Sequence, residues 1–134
     1  QVPRSVLELP VEDTSGNTQT LAQSLDAGRS VALVFWQPWC ESCRNEAPRA
    51  RRARETYAGT MDVIGVVSGP AESVDEDDVL EAIREWPVTY PTLRDRDLVL
   101  TRAFDVEGTP TIVIVSPDGT VAYYAHVPPR EWHD

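Results

Sequence analysis

The chain predicts an α/β domain: a central mixed β-sheet flanked by helices, with an N-terminal β-hairpin extension and a β-α insert before a closing hairpin. Three observations carry this. Apolar runs of strand length at residues 31–36 and 111–116 read as strands buried on both faces. Segments of helical character alternate with the runs at 30–36 and 61–68, which points to a sheet covered on both sides. Near the end, the turn Pro117-Asp118-Gly119-Thr120 separates two strand-like segments, which predicts an antiparallel hairpin.

The elements follow in order. Residues 6–10, the polar stretch Asp13-Thr14-Ser15-Gly16-Asn17 and residues 18–21 predict a small hairpin. Residues 20–25 predict a short helix ended by Gly28, and 30–36 a central strand. A helix is expected from near Cys40 to about Tyr57, with Gly59 as its stop and Pro48 as an internal kink. Cys43, Ala47, Ala50 and Tyr57 fall close to one face of it, while Arg44, Arg51, Arg52 and Glu55 fall largely elsewhere. Residues 61–68 predict a second central strand. Ser73-Val74-Asp75-Glu76 resembles a capping box and opens a helix with the apolar stripe Val79, Leu80, Ile83 and Trp86. Pro87 and Pro91 stop it. Residues 98–104 predict a further short helix, and 111–116 with 121–126 the closing hairpin. Residues 1–134 read as a single domain, with 1–29 as an extension and 127–134 as an irregular or truncated tail, since Pro128 and Pro129 discourage a helix. Trp132 then reads as a patch over a partly bare sheet face.

Composition bounds the function. The 134 residues are enough for one core, and 41% of them are hydrophobic. No apolar run approaches the roughly 20 residues of a membrane helix. A formal charge of −10 argues against nucleic acid or an anionic membrane as partner. All 12 basic residues are arginine, which reads as compositional bias. Residues 72–85 hold seven acids and one Arg, and 41–55 hold five Arg and three Glu. Two solvated helix faces of opposite sign account for this, with docking of a basic partner surface as the alternative. The chain starts at Gln1 without a basic-then-apolar leader, as expected if a leader was removed or never present.

Cys40 and Cys43 are the only cysteines. Three apart at a strand-to-helix junction, they lie on nearly one face and can close a disulfide, the requirement of a two-electron dithiol switch. The helix N-terminus favours a thiolate, so Cys40, nearer that end, is assigned the attacking role and Cys43 the resolving one. Inert buried cysteines, half of a zinc site with His126 or His133, and a permanent structural disulfide are the competing readings.

Phe35-Trp36-x-x-Trp39-Cys40-x-x-Cys43, then Pro48, then Gly108-Thr109-Pro110-Thr111 before an apolar strand, resembles the thioredoxin superfamily. The N-terminal extension, the insert and Cys-Glu-x-Cys-Arg-x-Glu-x-Pro resemble its TlpA/ResA-type branch of extracytoplasmic thiol-disulfide oxidoreductases. The resemblance implies a thioredoxin-like fold. It implies that Pro110 is a cis-proline beside the disulfide and that Thr109 offers backbone to an extended substrate. Glu46 matches an acidic residue of the branch that modulates protonation of the sulfurs. Glu41 and Ser42 take the positions that tune the potential, and Ser42 stands where many relatives have Pro. Trp39 shields the disulfide and joins the docking surface. Val34 stands where thioredoxin carries a buried Asp, so proton handling shifts to Glu46 or is absent.

The resemblance thus implies an enzyme, a protein-disulfide reductase outside the cytoplasm of the cytochrome c maturation type. It needs no cofactor beyond the Cys40–Cys43 pair and no metal. Its expected partners are a protein disulfide or dithiol and a membrane or soluble redox protein that resets the pair; the protein itself is expected to be a monomer. The alternatives are a thiol oxidase or isomerase of the same fold, a non-catalytic binding module, or a metal-delivery protein using Cys40, Cys43 and His126.

Overall fold

The computed structural model describes residues 1–127. In chain order the elements are α1 (Arg4–Leu7), β1 (Val11–Glu12), β2 (Thr18–Gln19), α2 (Leu21–Asp26), β3 (Ser30–Phe35), α3 (Glu41–Thr56), β4 (Met61–Ser68), α4 (Glu76–Glu85), β5 (Thr92–Asp95), α5 (Val99–Ala103), β6 (Thr111–Val115) and β7 (Val121–Ala125). The main sheet has the order β5-β4-β3-β6-β7. β3, β4 and β5 run parallel, while β6 and β7 are antiparallel. The hairpin β1-β2 joins the β5 edge through a bridge from Asp13 to Leu93.

The strands are apolar throughout because both their faces are covered. Alternate residues point to opposite sides. Val31, Leu33 and Phe35 of β3 meet Ile64, Val66, Val113 and Val115 in one layer, closed by Leu7, Leu21, Leu25, Leu100 and Phe104 from the α1, α2 and α5 side. Ala32, Val34 and Trp36 meet Met61, Val63, Val67, Ile112 and Ile114 in the other, closed by α3 and α4. Cys43, Ala47, Ala50 and Ala53 are the buried residues of α3, and their small side chains let it lie close on the sheet.

α2 starts at Thr20 with a complete capping box and ends before Gly28, whose φ of 84° suits glycine. α3 carries Pro48 in its interior without ending there.

Several expectations need correction. Residues 6–10 are not a strand: residues 4–7 form a helical turn, and the hairpin starts at Val11. The Asp13 carboxylate accepts from Ser15 N, Asn17 N and Gln19 Nε2, and this centres the hairpin around Asp13. Ser73 is not a cap. Asp75 caps α4 by accepting from Asp77 N, and Glu76, which the box would turn back toward Ser73, is drawn to Arg94 instead. Leu80 is exposed, and Val79, Ala82 and Trp86 supply the buried side of the helix. The strand of the expected β-α insert had no residues assigned to it from sequence; it is β5. Pro128, Pro129 and Trp132, with nearly all of the predicted tail, lie outside the described residues.

Candidate active site

β3 ends at Phe35, and the chain crosses the end of the sheet to Cys40, the N-cap of α3. Cys40 and Cys43 form a disulfide with their Cα atoms 5.2 Å apart. Cys43 is buried and Cys40 half-buried, so the first sulfur is the reachable one. The Cys43 N–H donates to Cys40 Sγ at 3.1 Å. An amide aimed at that atom, at the positive end of a helix, stabilises negative charge on it.

The crossing loop is held by its own polar groups. Trp36 N donates to Val66 O, Cys40 N donates to Gln37 O, and Gln37 Nε2 donates to Ser68 O at 3.0 Å. The Trp36 ring lies 5.2 Å from Trp86, centroid to centroid.

Thr111 pairs with Phe35 across β6 and β3, which brings the residues before it to the sheet end from which the Cys40 loop departs. Among them, the Thr109–Pro110 peptide is cis. Pro110 is buried and Thr109 half-buried. Thr111 Oγ1 donates to Gly108 O at 2.5 Å, and His126 Nδ1 lies 3.2 Å from Pro110 O and 3.1 Å from Thr111 Oγ1. A carbonyl only accepts, so His126 Nδ1 carries the proton and ties β7's end to the cis-proline turn. Sequence reasoning had weighed His126 only as a metal ligand.

Trp39 is 66% exposed. With Cys40, Glu41, Glu85 and Trp86 it lines a groove of about 530 Å³ between the active-site loop and α4. Ser42 is exposed at the start of α3, and Ser42, Thr109 and Pro110 do not line that groove. Neither does Glu46. Its Oε2 is buried without a hydrogen-bond donor among the described residues, of whose cations Arg49 stands 3.9 Å away, too far for a hydrogen bond.

Two supports were not foreseen. The first is Gly65 in the middle of β4. A Cβ there would sit 2.8 Å from Trp36 Nε1, 2.8 Å from Thr92 Oγ1 and 3.2 Å from the Tyr90 ring. Only glycine lets the indole lie this close to the strand. Both of those polar atoms are buried without a partner. Burial also pushes the Tyr90 hydroxyl well above its ordinary pKa, against the pull of Arg51. A lone glycine inside an apolar strand run was the available signal.

The second support fixes α4 at both ends. At its start, Glu76 accepts from Arg94 at 2.8 Å and from Arg96 at 3.2 Å. Arg94 is buried and also donates to Val67 O and Gly69 O. The Arg94 hydrogen bond, opposed by burial, holds the Glu76 carboxyl below its ordinary value. Beyond its other end, Arg51 Nη1 donates to Trp86 O at 3.2 Å and Pro87 O at 3.1 Å.

Comparison with known proteins agrees with this geometry. The chain is 29% identical over 112 residues to the thiol-disulfide oxidoreductase ResA of Bacillus subtilis, covering 83% of this chain and 59% of ResA. It is 27% identical over 114 residues to the thioredoxin-like protein YneN of the same organism, covering 85% of this chain and 65% of YneN. The chain thus spans about three-fifths of the length of these relatives. A secreted Mycobacterium tuberculosis disulfide oxidoreductase homologous to Escherichia coli DsbE superimposes with a TM-score of 0.78, at 22% identity, over 94% of this chain and 88% of its own. The fold is therefore thioredoxin-like. The AhpC/TSA family pattern matches residues 2–124, almost the whole described chain, and the protein belongs to that family.

Proposed function

We propose that the protein is a thiol-disulfide oxidoreductase acting on protein disulfides or dithiols. The observation that carries this is the Cys40–Cys43 disulfide at the start of α3, with the more accessible sulfur accepting the Cys43 N–H. In the reducing direction the Cys40 thiolate attacks a substrate disulfide. A Cys40–substrate bond forms, and one substrate sulfur leaves as a thiolate. The Cys43 thiolate then attacks Cys40 Sγ, the mixed disulfide breaks, and the second substrate sulfur departs. Two electrons pass to the substrate, and the protein is left oxidised. The reverse sequence oxidises a dithiol.

Thr109 and Pro110 position the substrate as an extended segment on the sheet end. Glu46 serves the protons: a carboxylate oxygen without a donor, three residues beyond Cys43, can hold the proton that Cys43 gives up. Glu41 and Ser42 tune the pair. The cysteines carry the electrons themselves, so the reaction needs no further cofactor, and a separate redox partner resets the pair. Reduction is the favoured direction, outside the cytoplasm and of the cytochrome c maturation type, with the protein acting as a monomer. The relatives' names support the location: a matched structure is called secreted, and another an exposed lipoprotein. No described helix is long and apolar enough to cross a membrane.

Two measurements test this. Cys43→Ser should trap a mixed disulfide through Cys40 on non-reducing gels, and Cys40→Ser should not. An equilibrium titration against glutathione or dithiothreitol should give a reversible two-electron transition at about −250 mV or below. A value near about −120 to −180 mV would reverse the direction and indicate an oxidase or isomerase. Absence of any transition would remove the redox reading.

A further inference from the structure

We propose that the groove beside Cys40 selects substrates whose reacting cysteine is flanked by lysine or arginine, a proposal that rests on the redox reading above. The groove is continuous. Pro38, Trp39, Glu85 and Trp86 line both the cavity that contains Cys40 and a neighbouring one of about 160 Å³ that runs along α4. Its carboxylates are Glu41, Asp78, Glu81 and Glu85, against the single guanidinium of Arg44. Asp78, Glu81 and Glu85 recur at the spacing of one helix face, and all three are exposed. None of the four carboxylates has an ion pair among the described residues, whereas Glu76 on the same helix is taken up by Arg94 and Arg96. Glu76 is turned to Arg94 of the sheet, while Asp78, Glu81 and Glu85 line the groove.

Two further features fit a cationic segment of polypeptide. Trp39, next to the reactive sulfur and 66% exposed, offers an aromatic face on which a guanidinium or ammonium can stack. Among the described residues no three acids, histidines or cysteines converge closely enough to hold a metal ion. The negative charge is spread along the groove, as an extended chain requires and a point ion does not. The anchoring of α4 by Arg94 and Arg51 presents these carboxylates without the entropy cost of ordering the helix on binding.

The test uses two matched short peptides, each with one cysteine held as a mixed disulfide with 5-thio-2-nitrobenzoate. One is flanked by Lys and Arg, the other by Glu. Attack by Cys40 of the reduced protein on the peptide sulfur releases the coloured thiolate. At low ionic strength the cationic peptide should react about tenfold faster than the anionic one, and the ratio should shrink as salt is added. Glu81→Gln with Glu85→Gln should lower the ratio, and Asp78→Lys, Glu81→Lys and Glu85→Lys together should invert it, with circular dichroism confirming that each variant folds. Equal rates for the two peptides in the wild-type protein, or a faster anionic peptide, would overturn the substrate class while leaving the redox reading intact. No release from either peptide would overturn the redox reading itself.

Discussion

Toward α1, α2 and α5 the sheet presents Leu33, Phe35, Val66 and Val113, and the layer they meet is aliphatic and aromatic. Toward α3 and α4 the same strands present Trp36, Gly65 and Thr92, and this layer holds Cys43 together with Trp36 Nε1 and Thr92 Oγ1, both buried without partners. Asp95 and Arg94, adjacent on β5, show the same division. Asp95 accepts from Leu100 N, Thr101 N and Thr101 Oγ1, and so caps a short helix on the first side. Arg94 turns to the other side and holds α4 in place against the groove. One face is built to be stable. The other carries uncompensated polarity in the layer that also holds Cys43.

The largest effect on stability should come from the first face. Leu100→Ala empties a fully buried site and should cost about 2–5 kcal/mol in urea unfolding, while the Cys40–Cys43 reduction potential stays unchanged. A shifted potential would show that the two faces are coupled. Gly65→Ala is the matching change on the second face. It should cost about 1–3 kcal/mol by overpacking and also alter the near-UV signal of the Trp36–Trp86 pair. An unaltered aromatic spectrum would mean that Thr92, not Trp36, gives way.

Glu76→Gln comes next. Glu76 titrates below its ordinary value of 4.5, mainly through the Arg94 hydrogen bond. The unfolded chain therefore binds the proton more readily. The stability from this pair is full above about pH 4.5 and fades as the pH falls through the lower folded value. The variant should lose about 1–2 kcal/mol near neutral pH, less than a fully buried pair because Glu76 is partly exposed, and its stability should be flatter below pH 4.5. An unchanged acid limb would assign the acid sensitivity elsewhere. The smallest effect is that of Trp39→Ala, which should stay within about 0.5 kcal/mol in stability yet slow exchange with protein substrates.

What the sequence disclosed follows the same division. The apolar strands β3, β4 and β6 were legible because burial on both sides leaves an unbroken run of apolar residues. The disulfide pair was legible because its spacing is local, and the cis peptide before Pro110 because its surroundings resemble a known pattern. β5 was not, since Thr92-Leu93-Arg94-Asp95 reads as a polar loop until the partners of Arg94 and Asp95 are known. Ser73 misled for the same reason: the pull of Arg94 on Glu76 acts across 18 positions of sequence. The contact of His126 with Pro110 spans 16 positions and left no local trace. The residues that line and brace the groove are joined by contacts distant in sequence, and reading along the chain cannot supply them.

The anchoring of α4 has one more consequence. Its position depends on Glu76 at one end and on main-chain carbonyls at the other, and its inward packing on Val79, Ala82 and Trp86. Asp77, Asp78, Leu80 and Glu81 take no part in this and are exposed. Those positions can change without loosening α4, so the surface beside Cys40 can be altered while the disulfide at the start of α3 keeps its setting.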